Sequence, residues 1–148
     1  MYTESNIKLS CNVLWQKCVL ATLYRAAATH PKIKLLQFKL IPCPGMNKAI
    51  PSLMADFTGE LHRLISEYLQ CKRRKDKSVE PAPLYYLWSR EAVANDTTPY
   101  LMVLLLNNDV WCKSREVVVL RNLIEQAWGK VLDEDNSVTH LVVYPEVL

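Results

Sequence analysis

Only three glycines occur in the whole chain, and none falls in a GxGxxG, GxxxxGK[ST] or GxSxG arrangement. Without such glycines the backbone cannot wrap closely around a phosphate or form a nucleophile elbow, so the common nucleotide-cradling loops and serine-hydrolase turns are excluded. There is no HExxH. Five cysteines, Cys11, Cys18, Cys43, Cys71 and Cys112, form no CxxC pair, and an odd, scattered set reads as reduced, mostly buried thiols rather than a disulfide scaffold or a zinc knuckle. No apolar run reaches the roughly 18 residues needed to cross a bilayer, and the opening MYTESNIKLSCN has neither the basic cluster nor the apolar stretch of a signal peptide. The expectation is a cytoplasmic protein with no membrane partner and no cofactor.

What remains is a chain of 148 residues, half of them hydrophobic. That is enough for one domain over residues 1–148 with a core that needs no staples. The net charge of +3 is too mild to define a partner, and its distribution is more informative than its sum. No internal repeat or low-complexity tract interrupts the chain.

Apolar residues recur at three- and four-residue steps from Val13 to Ala28, at Val13, Leu14, Cys18, Ala21 and Tyr24, which predicts a helix packing that face on a sheet. His30-Pro31 stops it. From Ile33 to Ile41 the period drops to two, with Leu36, Phe38 and Leu40 on one side and Leu35, Gln37 and Lys39 on the other, as in a strand. A second helix should start at about Pro51 and carry Met54, Phe57, Leu61, Leu64, Ile65 and Tyr68 on one face. Leu84 to Arg90 and Tyr100 to Asn107 read as two strands of a hairpin at the centre of the sheet. A last helix, from an N-cap at Ser114 to Trp128, places Val117, Leu120, Ile124, Ala127 and Val131 on one stripe and begins to end at Gly129. Val138 to Tyr144 is a final strand, and the closing PEVL leaves open whether the chain is whole. Too few βαβ units are present for a doubly wound sheet. The expected class is α+β, an antiparallel sheet of four to five strands with helices packed on it.

The hairpin carries a specific pattern: Trp88, Arg90 and Glu91 in LYYLWSRE, then PYLMVLLLNNDV from Pro99. With HPKIKLLQFKL before it and Ala127-Trp128 after it, most of the chain resembles the YagK/YfjJ C-terminal family of inovirus-type replication-initiator-like proteins. The resemblance implies a rolling-circle-initiator domain of ferredoxin-like or RRM-like fold. It also implies a Pro-His-x-His start to the second hairpin strand, whose two imidazoles share a face and hold a divalent metal. Here those positions are Tyr100 and Met102, and neither a phenol nor a thioether suits magnesium or manganese. Glu91 stands where the resemblance puts an acidic ligand, but one carboxylate makes no site. The helix from Ser114 to Trp128 contains no nucleophilic tyrosine, Tyr144 reads as a packing residue, and His30, His62 and His140 show no ligand spacing. The expectation is a protein that is not an enzyme.

Lys72, Arg73, Arg74, Lys75 and Lys77 put five positive charges in six positions. They either complement the dipole of the second helix or neutralise phosphates. Tyr85, Tyr86 and Trp88 are either core or base-stacking groups, and Arg90 is either solvated or a further phosphate contact. Two functions follow. The first is a non-catalytic, phage- or prophage-derived protein binding nucleic acid, by default DNA, with Tyr100 and Met102 in an open apolar contact surface. The second is a protein-binding module of a mobile element that inhibits or assembles a host or phage complex. Oligomeric state is not legible in the sequence.

Overall fold

The two-residue alternation after Pro31 becomes β1 (Ile33–Leu40), in which Leu36, Phe38 and Leu40 are buried while Leu35, Gln37 and Lys39 face out. The computed structural model describes residues 8–43, 50–75, 83–90, 98–132 and 141–145, with backbone only for 8–16, 50–51 and 73–75. The other elements are α1 (Lys8–Thr29), α2 (Ile50–Lys75), β2 (Tyr85–Ser89), β3 (Tyr100–Asn107), α3 (Asn108–Trp111), α4 (Ser114–Leu132) and β4 (Val142–Val143). The four strands lie in the order β2-β3-β1-β4, every pair antiparallel. The fold is therefore α+β, with helices packed on one antiparallel sheet. No helix among the described residues is long and apolar enough to cross a membrane.

β3 is interior because β1 returns along its free edge, pairing from Ile33↔Asn107 to Leu40↔Tyr100. β2 takes the other edge of β3, so only one strand of the expected hairpin lies at the centre of the sheet. β3 is apolar on both faces because both are covered. Tyr100, Met102, Leu104 and Leu106 join the buried cluster with α2 and α4, and Leu105, on the opposite face, is also buried.

The main core forms between the sheet and the α2–α4 layer. Met54, Phe57, Leu61 and Ile65 of α2, and Leu120, Ile124, Ala127, Trp128 and Val131 of α4, are buried against Phe38, Met102 and Leu104. Trp128 is central: its ring meets Phe57 at 5.7 Å and Tyr100 at 6.2 Å, and its indole N–H donates to the Ile41 carbonyl at 2.9 Å. That bond ties α4 to the residue leaving β1.

Several expectations are corrected. α1 turns a different stripe inward: Cys18, Ala21 and Tyr24 are exposed, and Ala26 is buried with Val19, Thr22 and Leu23 half-buried. Apolar residues occur around most of this helix, so periodicity alone does not single out the packing face. The thiols of Cys18 and Cys71 are exposed because the faces of α1 and α2 that carry them look away from the core, that of Cys112 is exposed just after α3, and that of Cys43 is partly covered against the core; the Cys11 side chain lies outside the described residues. Ser114 is the first helical residue of α4 rather than its cap, and α4 runs through the buried Gly129 to Leu132. There the burial of Trp128, Val131 and Leu132 outweighs a glycine cost of about 1 kcal/mol. β4 has two residues where seven were expected; residues 138–140 lie outside the described residues. After Tyr144, Pro145 offers no N–H to extend the ladder. The short α3 was not anticipated: the Asn107 side chain accepts from the Asp109 backbone N–H at 3.0 Å and caps it.

The packing predicts a sharp contrast. Trp128→Ala should cost about 3–5 kcal/mol of unfolding free energy, and Val118→Ala, at a position 58% exposed, should stay within about 0.5 kcal/mol. Urea denaturation of both variants checks this.

Candidate functional site

α2 and α4 pack against each other, and near the end of α2 and the start of α4 they are joined by a buried charge. The Glu116 side chain is only 3% exposed, and Lys72 Nζ lies 2.7 Å from its Oε1. The Tyr68 hydroxyl donates to Oε2, and the Trp111 ring lies against Tyr68 at 5.8 Å. The hydrogen bonds from Lys72 and then Tyr68 hold the Glu116 carboxyl below the usual range, against the effect of burial. Burial first, and the bond to Glu116 second, push the Tyr68 phenol up to about 12.

This arrangement divides the basic run. Lys72, one of the phosphate contacts expected from sequence, is internally paired. Arg73, Arg74 and Lys75 are described as the helical backbone that completes α2, and Lys77 and Glu91 lie outside the described residues. Across the Lys72–Glu116 bridge stand Lys113, just before α4, and Arg115, in its first turn, both exposed. The Arg115 side chain is 83% exposed, and its Nη2 stands 3.9 Å from the same carboxylate. Sequence reading missed these two cations because about forty residues separate them from the run. Only the antiparallel pairing of α2 with α4 brings them together, and no local motif announces it.

The other expected site residues are engaged elsewhere. Arg90 donates from both Nε and Nη2 to the Thr98 carbonyl, each at 3.2 Å, and its guanidinium carbon sits 4.5 Å from the centre of the Tyr100 ring. It thereby straps the two ends of the β2–β3 connection together. Tyr86 and Trp88 pack on the main core. Tyr85 faces α1, sharing a 2.6 Å hydrogen bond with Thr29 Oγ1 and an edge-on contact with His30. Tyr144 is a packing residue as expected, its ring 6.0 Å from Phe38 and 4.4 Å from the Arg121 guanidinium.

Tyr100 and Met102 do not form an open surface. They are 2% and 0% exposed, because their side of β3 is the one covered by α2 and α4. Burial raises the Tyr100 phenol above its ordinary value, so it stays a neutral hydroxyl. A shielded phenol and thioether do not fit a divalent metal of the kind the resemblance implies. Among the described residues, no group of three or more His, Cys, Asp or Glu side chains stands together. The structure does unite two histidines that sequence keeps apart: His30, after α1, and His62, on α2, line one cleft beside Asn107.

The chain is thus an antiparallel sheet under a helical layer in which the Lys72–Glu116 bridge joins the end of α2 to the start of α4. A model of the YagK/YfjJ C-terminal domain matches residues 13–146, and the chain belongs to that family. Membership suggests a phage- or prophage-related protein. No curated protein and no solved structure matched the chain.

The bridge makes two predictions. Lys72→Ala should destabilise the fold by about 1–3 kcal/mol, since it leaves a buried carboxylate without its cation; chemical denaturation measures it. The second concerns acid. The Glu116 carboxyl is depressed in the folded state, so its contribution is complete above the unfolded value near 4.5. It is lost as pH falls through the lower folded value. A stability profile from pH 7 downward should therefore decline below about 4.5, and Glu116→Gln should flatten that part of the decline.

Proposed function

We propose that this chain is a non-catalytic nucleic-acid-binding protein that holds the phosphate backbone at the joined ends of α2 and α4, with DNA as the expected polymer. The observation that carries the reading is the Lys72–Glu116 bridge, which seats the start of α4, with Lys113 and Arg115, beside the basic end of α2. Cations drawn from two elements onto one surface neutralise adjacent phosphates and release counterions, giving sequence-independent, salt-sensitive affinity. Occupancy, rather than turnover, is the mechanism. Supporting that half of the reading are the phenol and thioether at Tyr100 and Met102, where the family pattern calls for imidazoles, and the absence of tyrosine from α4. Lys72 serves as the clasp that positions the surface, and the remaining cations meet the ligand.

A second reading, a protein-binding module that inhibits or assembles a host or phage complex, has its own support. Leu20 and Tyr24, one helical turn apart on α1, are 52% and 73% exposed, and Leu35 on β1 is 61% exposed. Large apolar groups left in water are a feature of protein contact surfaces.

The deciding experiment is equilibrium binding to labelled single- and double-stranded DNA and RNA at two salt concentrations. The comparison protein carries Arg73, Arg74, Lys75, Lys113 and Arg115 changed to alanine and spares Lys72, so that the fold is kept. The expected result is saturable binding that weakens with salt and falls by about tenfold or more in the variant, whose melting temperature is unchanged. Absence of binding, or equal binding by the variant, overturns this reading in favour of the protein partner.

A further inference from the structure

The cleft that unites His30 and His62 is used neither by the fold nor by the phosphate surface. Its floor is buried: His30 is 5% exposed, Leu105 1%, Leu106 4% and Trp111 2%. Its mouth is flanked by His62 and Pro83, both exposed. The space inside is about 30 Å³, room for one or two water molecules.

The polar groups at this cleft are only partly consumed by the protein. The His30 ring meets Tyr85 edge-on and makes no hydrogen bond to another described residue. No buried side-chain nitrogen or oxygen among the described residues is cut off from both partner and solvent, so the imidazole nitrogens of His30, a residue that lines the cleft, keep access to solvent. Burial pushes the His30 pKa below its ordinary value, and a neutral imidazole offers one donor and one acceptor. Asn107 uses its Oδ1 to cap α3, which leaves its amide NH₂ as a donor. A donor–acceptor pair beside a second donor, on an otherwise apolar floor, matches the edge of a heterocyclic base. It does not match a phosphate, which presents acceptors alone.

Location ties the cleft to the cationic surface. His62, Ile65 and Leu69 line it from α2, and the same three- and four-residue steps lead on to positions 72 and 73. At 1.5 Å per residue, the basic run from 72 to 75 begins about 5 Å along the helix from Leu69. Trp111 lines the cleft and also packs on Tyr68, which bonds Glu116. A flexible polyanion lying along the end of α2 therefore passes the mouth of the cleft.

We infer that the cleft receives the edge of one unpaired nucleobase, with its ring seated between His62 and Pro83 and its polar edge displacing the water beside His30 and Asn107. This rests on the nucleic-acid reading above and adds to it a base-contacting subsite. A base enters only if it is free of a duplex, and the hydrogen bonds that it makes must replace those of the water it expels.

The test uses an oligothymidylate of about twelve nucleotides and a fully abasic strand of the same length, which keeps every phosphate and removes every base. Both are titrated against the full chain and against His62→Ala, a change at an exposed helical position that leaves the core intact. The full chain should bind the base-bearing strand about tenfold more tightly than the abasic one. His62→Ala should bind both strands equally, with the salt dependence retained. Equal binding of both strands by the full chain, or a preference that persists in His62→Ala, overturns the cleft and leaves the phosphate surface standing. Failure of the full chain to bind either strand overturns both.

Discussion

A carboxylate removed from water must be compensated on the spot, and in this fold Glu116 is the group that makes the demand. Taking such a charge into the interior costs several kcal/mol unless hydrogen-bond donors meet it. Lys72 and Tyr68, from adjacent turns of α2, supply them. Apolar ridges alone let two helices slide by a turn at little cost. A buried carboxylate with donors on the partner helix does not, so Glu116 sets the axial register of α4 on α2. Farther along the pair, Lys130 of α4 reaches Glu60 of α2 at 3.2 Å. The two polar clasps bracket the apolar seam through Leu61, Ile65, Leu120 and Ile124. Everything in that layer, including which cations become neighbours, follows from this register.

How much of this was legible in the residues depends on the range of the interaction. β1 and β3 were readable because alternation and an apolar run with turn residues on its flanks are local signals, and the structure places them at Ile33–Leu40 and Tyr100–Asn107. The inward faces of α2 and α4 were readable for the same reason. α1 was readable as a helix, but its buried face was not: the exposed stripe through Cys18 and Tyr24 is as apolar as the stripe through Val19, Leu23 and Ala26 that packs inward. Gly129 was read as a stop, yet neighbouring burial carries the helix past it.

The candidate site was legible only in its local half. Five charges in six residues announce themselves, whereas Glu116, Lys113 and Arg115 acquire their roles from a partner helix some forty residues away. Lys72 shows the cost of reading charge as a count: its ammonium belongs to the interior and works by alignment. The buried face of Tyr100 and Met102 was equally hidden, since strand periodicity tells which residues share a side and leaves open which side the helices cover.

The concealment of Tyr100 and Met102 limits what this strand can do. Their rings and thioether are now part of the filling between sheet and helices, where Tyr100 touches Trp88 and Trp128. Two imidazoles placed at these positions would be walled in beside Trp128, out of reach of hydrated ions. For this strand to meet a hydrated ion, the helical layer would have to be prised off the sheet, so the aromatic contacts behind Tyr100 act as a lock on what chemistry the strand can host.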